Sequence, residues 1–182
     1  MAHSVPAWSA DRPGRLLYPP QPARNRGVPE ARRAREGAVL ARRDALSARV
    51  VLDTTLAITR MIFEGFFDQY PDLKLIASDA GGALPYLAGR FEKGNEVEIP
   101  QRRKMKRKPI DYLRHIYYDC ITYSPASLEF LVSVVGADRV MFGTDWPHQV
   151  YDIRGAFANT ARLPKEQCDA IRGNNALRVF GF

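Results

Sequence analysis

An apolar run that ends in a small turn and then an acid is the strongest chemical signal in this chain: Arg139-Val140-Met141-Phe142-Gly143-Thr144-Asp145-Trp146-Pro147-His148. In a parallel α/β barrel, a carboxylate placed just beyond the carboxyl end of a strand is well positioned to bind a metal ion or work on a substrate. Asp145 is therefore the first candidate ligand. Asp79 is placed in the same way after the run Leu73 to Ala77, and Asp119 to Thr122 follow a further run that starts at Ile116. A polar residue at a strand end is often only a cap or a turn former; for Asp145 the surrounding motif tips the reading toward chemistry. No His-x-His occurs upstream, so the chain carries one end of a metal site without the other.

These residues need strands to hold them and helices to cover the strands. From Leu52 onward the pattern supplies both. Thr54 or Thr55 can cap a helix whose apolar residues Ile58, Met61, Ile62, Phe66 and Tyr70 recur at intervals of three and four, with Pro71 as its stop. Leu73 to Ala77 reads as a buried strand, Ser78 to Gly82 as a tight loop, and about Ala83 to Phe91 as a helix that tolerates Pro85 in its first turn. Glu92 to Pro109 reads as a charged loop. Ile116 to Ile121 is the next strand, followed by a helix with Ser124 as N-cap, Pro125 at its first position and Gly136 as terminator. Val140 to Gly143 is a third strand. A loop through Asp152 to Gly155, a helix from about Pro164 to Arg172 ending at Gly173, and a final turn from Asn175 to Phe180 complete the chain. Strands alternating with helices in this way imply right-handed crossovers and a parallel sheet with helices outside it.

Length and charge bound the rest. At 182 residues the chain is shorter than the roughly 200 to 250 of a complete eightfold barrel. The formal charge is +7, but the first 49 residues, with ten Arg, no Lys and four acids, account for +6 of it. That segment lacks Phe and Ile and is dense in Pro, Arg, Ala and Gly, so residues 1–49 read as a disordered arm. A non-native leader, a flexible electrostatic arm and a targeting peptide are the alternatives for it. The run Arg102 to Lys108 is the one basic stretch elsewhere; it reads as a solvated loop rather than a nucleic-acid surface, since no aromatic stacking platform accompanies it. Two cysteines, no secretory h-region and no apolar run near 18 residues predict a cytoplasmic protein without a membrane segment.

The segment Leu75-Ile76-Ala77-Ser78-Asp79-Ala80-Gly81-Gly82-Ala83-Leu84-Pro85-Tyr86-Leu87-Ala88-Gly89-Arg90, the strand Tyr117-Tyr118-Asp119, the turn Gly143 to His148 and the ending Asn175-Ala176-Leu177-Arg178-Val179-Phe180 together resemble the C-terminal portion of the amidohydrolase-related family. That family includes aminocarboxymuconate-semialdehyde and resorcylate decarboxylases. The resemblance spans about residues 52–182 and implies a partial (β/α)₈ TIM barrel, about strands six to eight with their helices. It further implies a divalent metal, zinc or manganese, and a small carboxylated substrate undergoing nonoxidative decarboxylation or hydrolysis. By that resemblance Asp145 is the eighth-strand metal ligand, and Arg90 is the residue that reaches a substrate carboxylate across a subunit interface. Asp79 stands where the family has a sixth-strand His, and a carboxylate, with a reference pKa near 4 against about 6.5, is a weaker base at neutral pH.

Two expectations follow from what the motifs omit. A catalytic zinc site uses about three protein ligands, and the sequence offers one or two. The chain by itself is thus expected to hold metal weakly and to be inactive alone. Three strands cannot close a barrel, so self-association or aggregation through exposed sheet edges is expected. His115 precedes its strand on the end away from chemistry, His148 lies on the active face but reads as a loop residue, and His3 has no site logic.

Overall fold

In the computed structural model, the described residues are 51–97, 104–148 and 150–181, and all of them fall within one compact unit. The Arg-rich arm, residues 1–49, lies outside the described residues, as do the first two residues of the basic run.

Three short strands, β1 (Ile76–Ala77), β2 (Tyr117–Asp119) and β3 (Val140–Met141), form a parallel sheet in chain order. Ile76 pairs with Tyr117 and Ala77 with Tyr118; Tyr118 pairs with Val140 and Asp119 with Met141. Parallel strands adjacent in sequence require a crossover between each pair. Here the crossovers are α3 (Leu84–Val97) with α4 (Pro109–Leu113), and then α5 (Pro125–Val135). The core lies between sheet and helices: Ala77, Tyr118 and Val140 meet Leu84, Leu113, Ile116, Leu128 and Leu131, all buried.

The α5 helix follows its sequence signals. Ser124 Oγ accepts from the Ser127 amide, Pro125 opens the helix, and Gly136, at φ 94°, ends it. Elsewhere the boundaries move. The stripe from Ile58 to Tyr70 is not one helix: α1 (51–63) breaks at Gly65 and α2 (Phe66–Gln69) follows. Gly65 adopts φ 70°, and a Cβ there would sit 2.6 Å from the Lys104 carbonyl oxygen, so the break is set by the chain packed against it. The register shift buries Phe67 completely and leaves Tyr70 exposed. Thr55 lies inside α1 instead of capping it; its hydroxyl bonds to the Val51 carbonyl at 2.9 Å and accepts from the Ala83 amide at 3.0 Å, anchoring the chain just before α3.

The charged stretch after Phe91 also differs from its expected loop, because α3 continues through Val97 and α4 is an unforeseen helix. Asp152, read as part of a loop, is the N-cap of α6 (Ile153–Thr160), accepting from the Gly155 amide at 2.8 Å. Gly173 does not end a helix. Helix α7 (Lys165–Asp169) passes through a π turn, Ala170–Asn174, directly into α8 (Asn175–Phe180). The reason is tertiary: Asn175 is buried, and its Nδ2 donates to the carbonyls of Ala137 and Val140 at 2.8 and 2.7 Å, tying α8 to the start of β3.

In the basic run, Lys104 pairs with Glu64. Arg107 approaches Asp68 at 3.5 Å and stacks 4.4 Å above the Tyr112 ring, whose hydroxyl donates to Asp68. Acids of the same chain and an aromatic ring thus partner two of its charges.

Candidate functional site

The carboxyl ends of the three strands bring Asp79, Asp119, Tyr123 and Asp145 to one end of the sheet. Beyond β1 and the extended Ser78, the backbone takes a positive φ at four residues in a row, 53°, 54°, 75° and 61° for Asp79, Ala80, Gly81 and Gly82. Two of these are not glycine, so the turn carries a steric cost of roughly 1–2 kcal/mol at each. Asp119, at the end of β2, holds it. Its Oδ2 accepts from the Asp79 amide at 2.9 Å, and its Oδ1 accepts from the amides of Ala80 at 2.8 Å and Ile121 at 3.1 Å. Burial pushes the Asp119 carboxyl up to about 6, against the pull of these three N–H donors. Gly81 is required on a second count, since a Cβ would lie 2.6 Å from the Tyr118 ring.

Asp145, at φ 63°, is only 16 % exposed. Its Oδ2 accepts the Tyr123 hydroxyl at 2.7 Å, and the largely exposed His148 imidazole lies 3.9 Å from its Oδ1. Burial, reinforced by the Asp145 charge and the hydrogen bond to it, raises the Tyr123 phenol well above its ordinary value. Burial raises the Asp79 carboxyl; Asp145 adds to this and His148 opposes it. The two sequence-nominated acids therefore share one electrostatic environment.

Arg90 does not join them. It is exposed on α3, one turn beyond Tyr86. Asp79, Tyr86 and Tyr123 line a cleft of about 540 Å³ between the first turns of α3 and α5, whereas Asp145 touches it only through Tyr123.

Among the described residues, no group of three or more His, Cys, Asp and Glu side chains is arranged to hold a metal ion. Asp145 already accepts a phenol and lies near an imidazole, and Asp79 is the one other described carboxylate whose titration its charge shifts. On their own these side chains do not fit the divalent ion that the motifs imply.

Two residues of the site have no role assigned to them from sequence. Asp119 stood at a strand end and inside a quoted motif, a usable signal. Tyr123 has none: its backbone takes a left-handed φ of 54°, and its hydroxyl meets Asp145, 22 residues away.

Comparison with known proteins identifies the family and the fold. The amidohydrolase family model matches residues 24–182, reaching further toward the N-terminus than the motifs did. Gamma-resorcylate decarboxylase of Rhizobium sp. (strain MTP-10005) is 29 % identical over 131 residues, 70 % of this chain and 40 % of that protein. The 2-amino-3-carboxymuconate-6-semialdehyde decarboxylase of Dictyostelium discoideum is 30 % identical over 133 residues, 71 % of this chain and 37 % of its own length. Among solved structures, 5-carboxyvanillate decarboxylase from Sphingomonas paucimobilis superposes with TM-score 0.64 at 29 % identity, covering 72 % of this chain and 41 % of that one. A dihydroxybenzoic acid decarboxylase from Polaromonas sp. JS666, solved with bound manganese and 2-nitroresorcinol, gives TM-score 0.64 at 27 % identity, with 72 % and 40 % covered. The chain spans about 40 % of the length of these relatives. Its three parallel strands and their helices are accordingly part of a (β/α)₈ barrel, and the chain belongs to the amidohydrolase family.

Proposed function

We propose that this chain is the C-terminal share, about residues 50–182, of a metal-dependent decarboxylase acting on a small hydroxylated aromatic acid, with residues 1–49 as a separate arm. The observation that carries the reading is the placement of Asp145 at the end of β3, fixed by Tyr123 and electrostatically linked to Asp79. It is supported by decarboxylases of aromatic acids among the relatives and structural neighbours.

In nonoxidative decarboxylation the bond from ring carbon to carboxylate breaks, carbon dioxide leaves, and a proton takes its place on the ring. Asp79 is proposed as the proton carrier, because a carboxyl raised by burial and a neighbouring charge keeps its proton to higher pH. Arg90 is proposed to fix a substrate carboxylate by paired hydrogen bonds across an interface, consistent with its exposure. Asp145 is proposed as a ligand of a zinc or manganese ion, which when bound would polarise the substrate.

The described donors alone do not fit that ion, so the proposal includes weak metal binding and no turnover by this chain in isolation. It also includes self-association through the outer edges of β1 and β3, and a cytoplasmic setting. Among the described residues no helix is long and apolar enough to cross a membrane.

The test is to incubate the purified chain with Mn²⁺ or Zn²⁺ and 2,6-dihydroxybenzoate, then measure carbon dioxide release, bound metal by mass spectrometry and size by light scattering. A tightly held, stoichiometric ion with turnover by the isolated chain would refute the weak-metal part. No turnover even when the rest of a barrel of this family is supplied in trans would refute the decarboxylase reading.

A further inference from the structure

We infer that His115 is an acid-sensitive latch: neutral, it ties the loop before β1 to the start of β2, and a proton taken up at Nε2 opens that end of the sheet while the rest of the fold holds. The latch lies at the amino ends of the strands, away from Asp79 and Asp145, and is independent of the proposed function.

The geometry fixes which nitrogen takes the proton. Nε2 is buried and has no hydrogen-bond partner among the described residues. The ring is hydrogen-bonded to the Leu73 backbone, so Nδ1 is the nitrogen that carries hydrogen and donates to that carbonyl. Leu73 leads directly into the sheet, where the Leu75 carbonyl accepts from the Tyr117 amide at 2.9 Å. On α2 the fully buried Phe67 ring packs against the imidazole at 66°, with centroids 5.7 Å apart. A second ring proton would therefore turn Nε2 into a charged donor with no acceptor in a place closed to water.

The surrounding charges oppose that proton too. Burial first, then Arg107 before α4 and Arg139 before β3, hold the imidazole below its ordinary value against the pull of the Leu73 carbonyl. The acids of this corner are engaged elsewhere or exposed. Asp68 on α2 meets Arg107 at 3.5 Å, the Tyr112 hydroxyl and the Lys106 amide. Asp138 pairs with Arg139 at 3.1 Å, Asp111 accepts from the Lys108 amide at 3.3 Å, and Asp72, beside Leu73, faces solvent. The remaining cations turn away: Arg114 donates to the Val134 carbonyl and Lys74 to that of Val179. The unfolded chain thus takes a proton at this ring more readily than the folded one. The latch is fully closed above about pH 6.5 and weakens as pH falls below it.

The experiment follows the full, nitrogen-labelled chain by NMR between about pH 7.5 and 5, reading the His115 ring and amide hydrogen exchange. Expected are a neutral ring with its hydrogen on Nδ1 and a titration midpoint below the ordinary 6.5. Protection of the Leu73 and Tyr117 amides should fall by about threefold or more relative to the Leu128 amide of α5, since each unit by which the midpoint drops is a factor of about ten in opening. His115→Asn, which offers an N–H near the place of Nδ1 and takes no charge, should level that fall. A neutral ring with its hydrogen on Nε2, a midpoint at or above the ordinary value, unchanged protection, an equal loss at Leu128, or a fall that persists in His115→Asn would each overturn the inference. If the variant does not fold, the tautomer, midpoint and exchange of the parent chain decide.

Discussion

The Asp119 carboxylate accepts a hydrogen bond from the Asp79 amide at 2.9 Å across the gap between β2 and β1, and a second from the Ala80 amide at 2.8 Å. A carboxylate from one strand thereby fixes a left-handed turn at the end of its neighbour. The orientation of Asp79 depends on a residue 40 positions away in sequence.

Asp119→Asn keeps one oxygen acceptor but turns an amide N–H₂ toward one of the donors it now satisfies. We expect a loss of about 1–3 kcal/mol, the cost of a backbone N–H left without a partner. Chemical denaturation measures the loss, and hydrogen exchange at Asp79 and Ala80 localises it. Unchanged protection of both amides would mean that the turn is held by something else.

Asp119 also predicts a pH dependence. Its folded pKa, about 6, lies above the value of 3.8 for an unperturbed Asp, so between those limits the folded state binds more protons than the unfolded state. The contribution of this group is therefore fully present below about pH 4 and is lost as pH rises to about 6. Asp68 works the other way. Its pKa is lowered by the Tyr112 hydroxyl, the Lys106 amide and nearby cations, which together outweigh its burial, so its contribution is lost only as pH falls below the ordinary Asp range. Urea titrations from pH 4 to 7 on the parent and Asp119→Asn separate the two. A parent slope that survives in the variant would assign the effect elsewhere.

Gly81 and Gly89 should respond to alanine in opposite directions. At Gly81 a methyl would meet the Tyr118 ring at 2.6 Å on a backbone of φ 75°, so Gly81→Ala is expected to cost about 1–3 kcal/mol. Gly89 lies inside α3 with nothing within 4 Å of a Cβ, so Gly89→Ala is expected to stabilise by about 0.5–1 kcal/mol. Thermal melts of the two variants decide it, and like signs would contradict the geometry.

Asn175→Leu removes both donors to the Ala137 and Val140 carbonyls inside the fold. The expected cost is about 2–4 kcal/mol, from two carbonyls deprived of partners. Denaturant midpoints measure it, and a change below about 0.5 kcal/mol, the range of ordinary surface substitutions, would show that α8 is not anchored through this residue.

The sequence by itself determined the alternation of strand and helix, because burial on both faces of a parallel sheet leaves short apolar runs between amphipathic ones. It also determined α5, whose Ser124, Pro125 and Gly136 signals are local, and it nominated Asp79 and Asp145 from their place after apolar runs. Tertiary structure decided what depends on distant partners. Helix α1 breaks where Lys104 crowds Gly65, and α8 continues because Asn175 finds carbonyls at the start of β3. Tyr123 becomes part of the site through a left-handed backbone and a contact 22 residues away. Propensity and periodicity record each residue's neighbours along the chain, whereas a turn held by a carboxylate on another strand exists only once the strands have met.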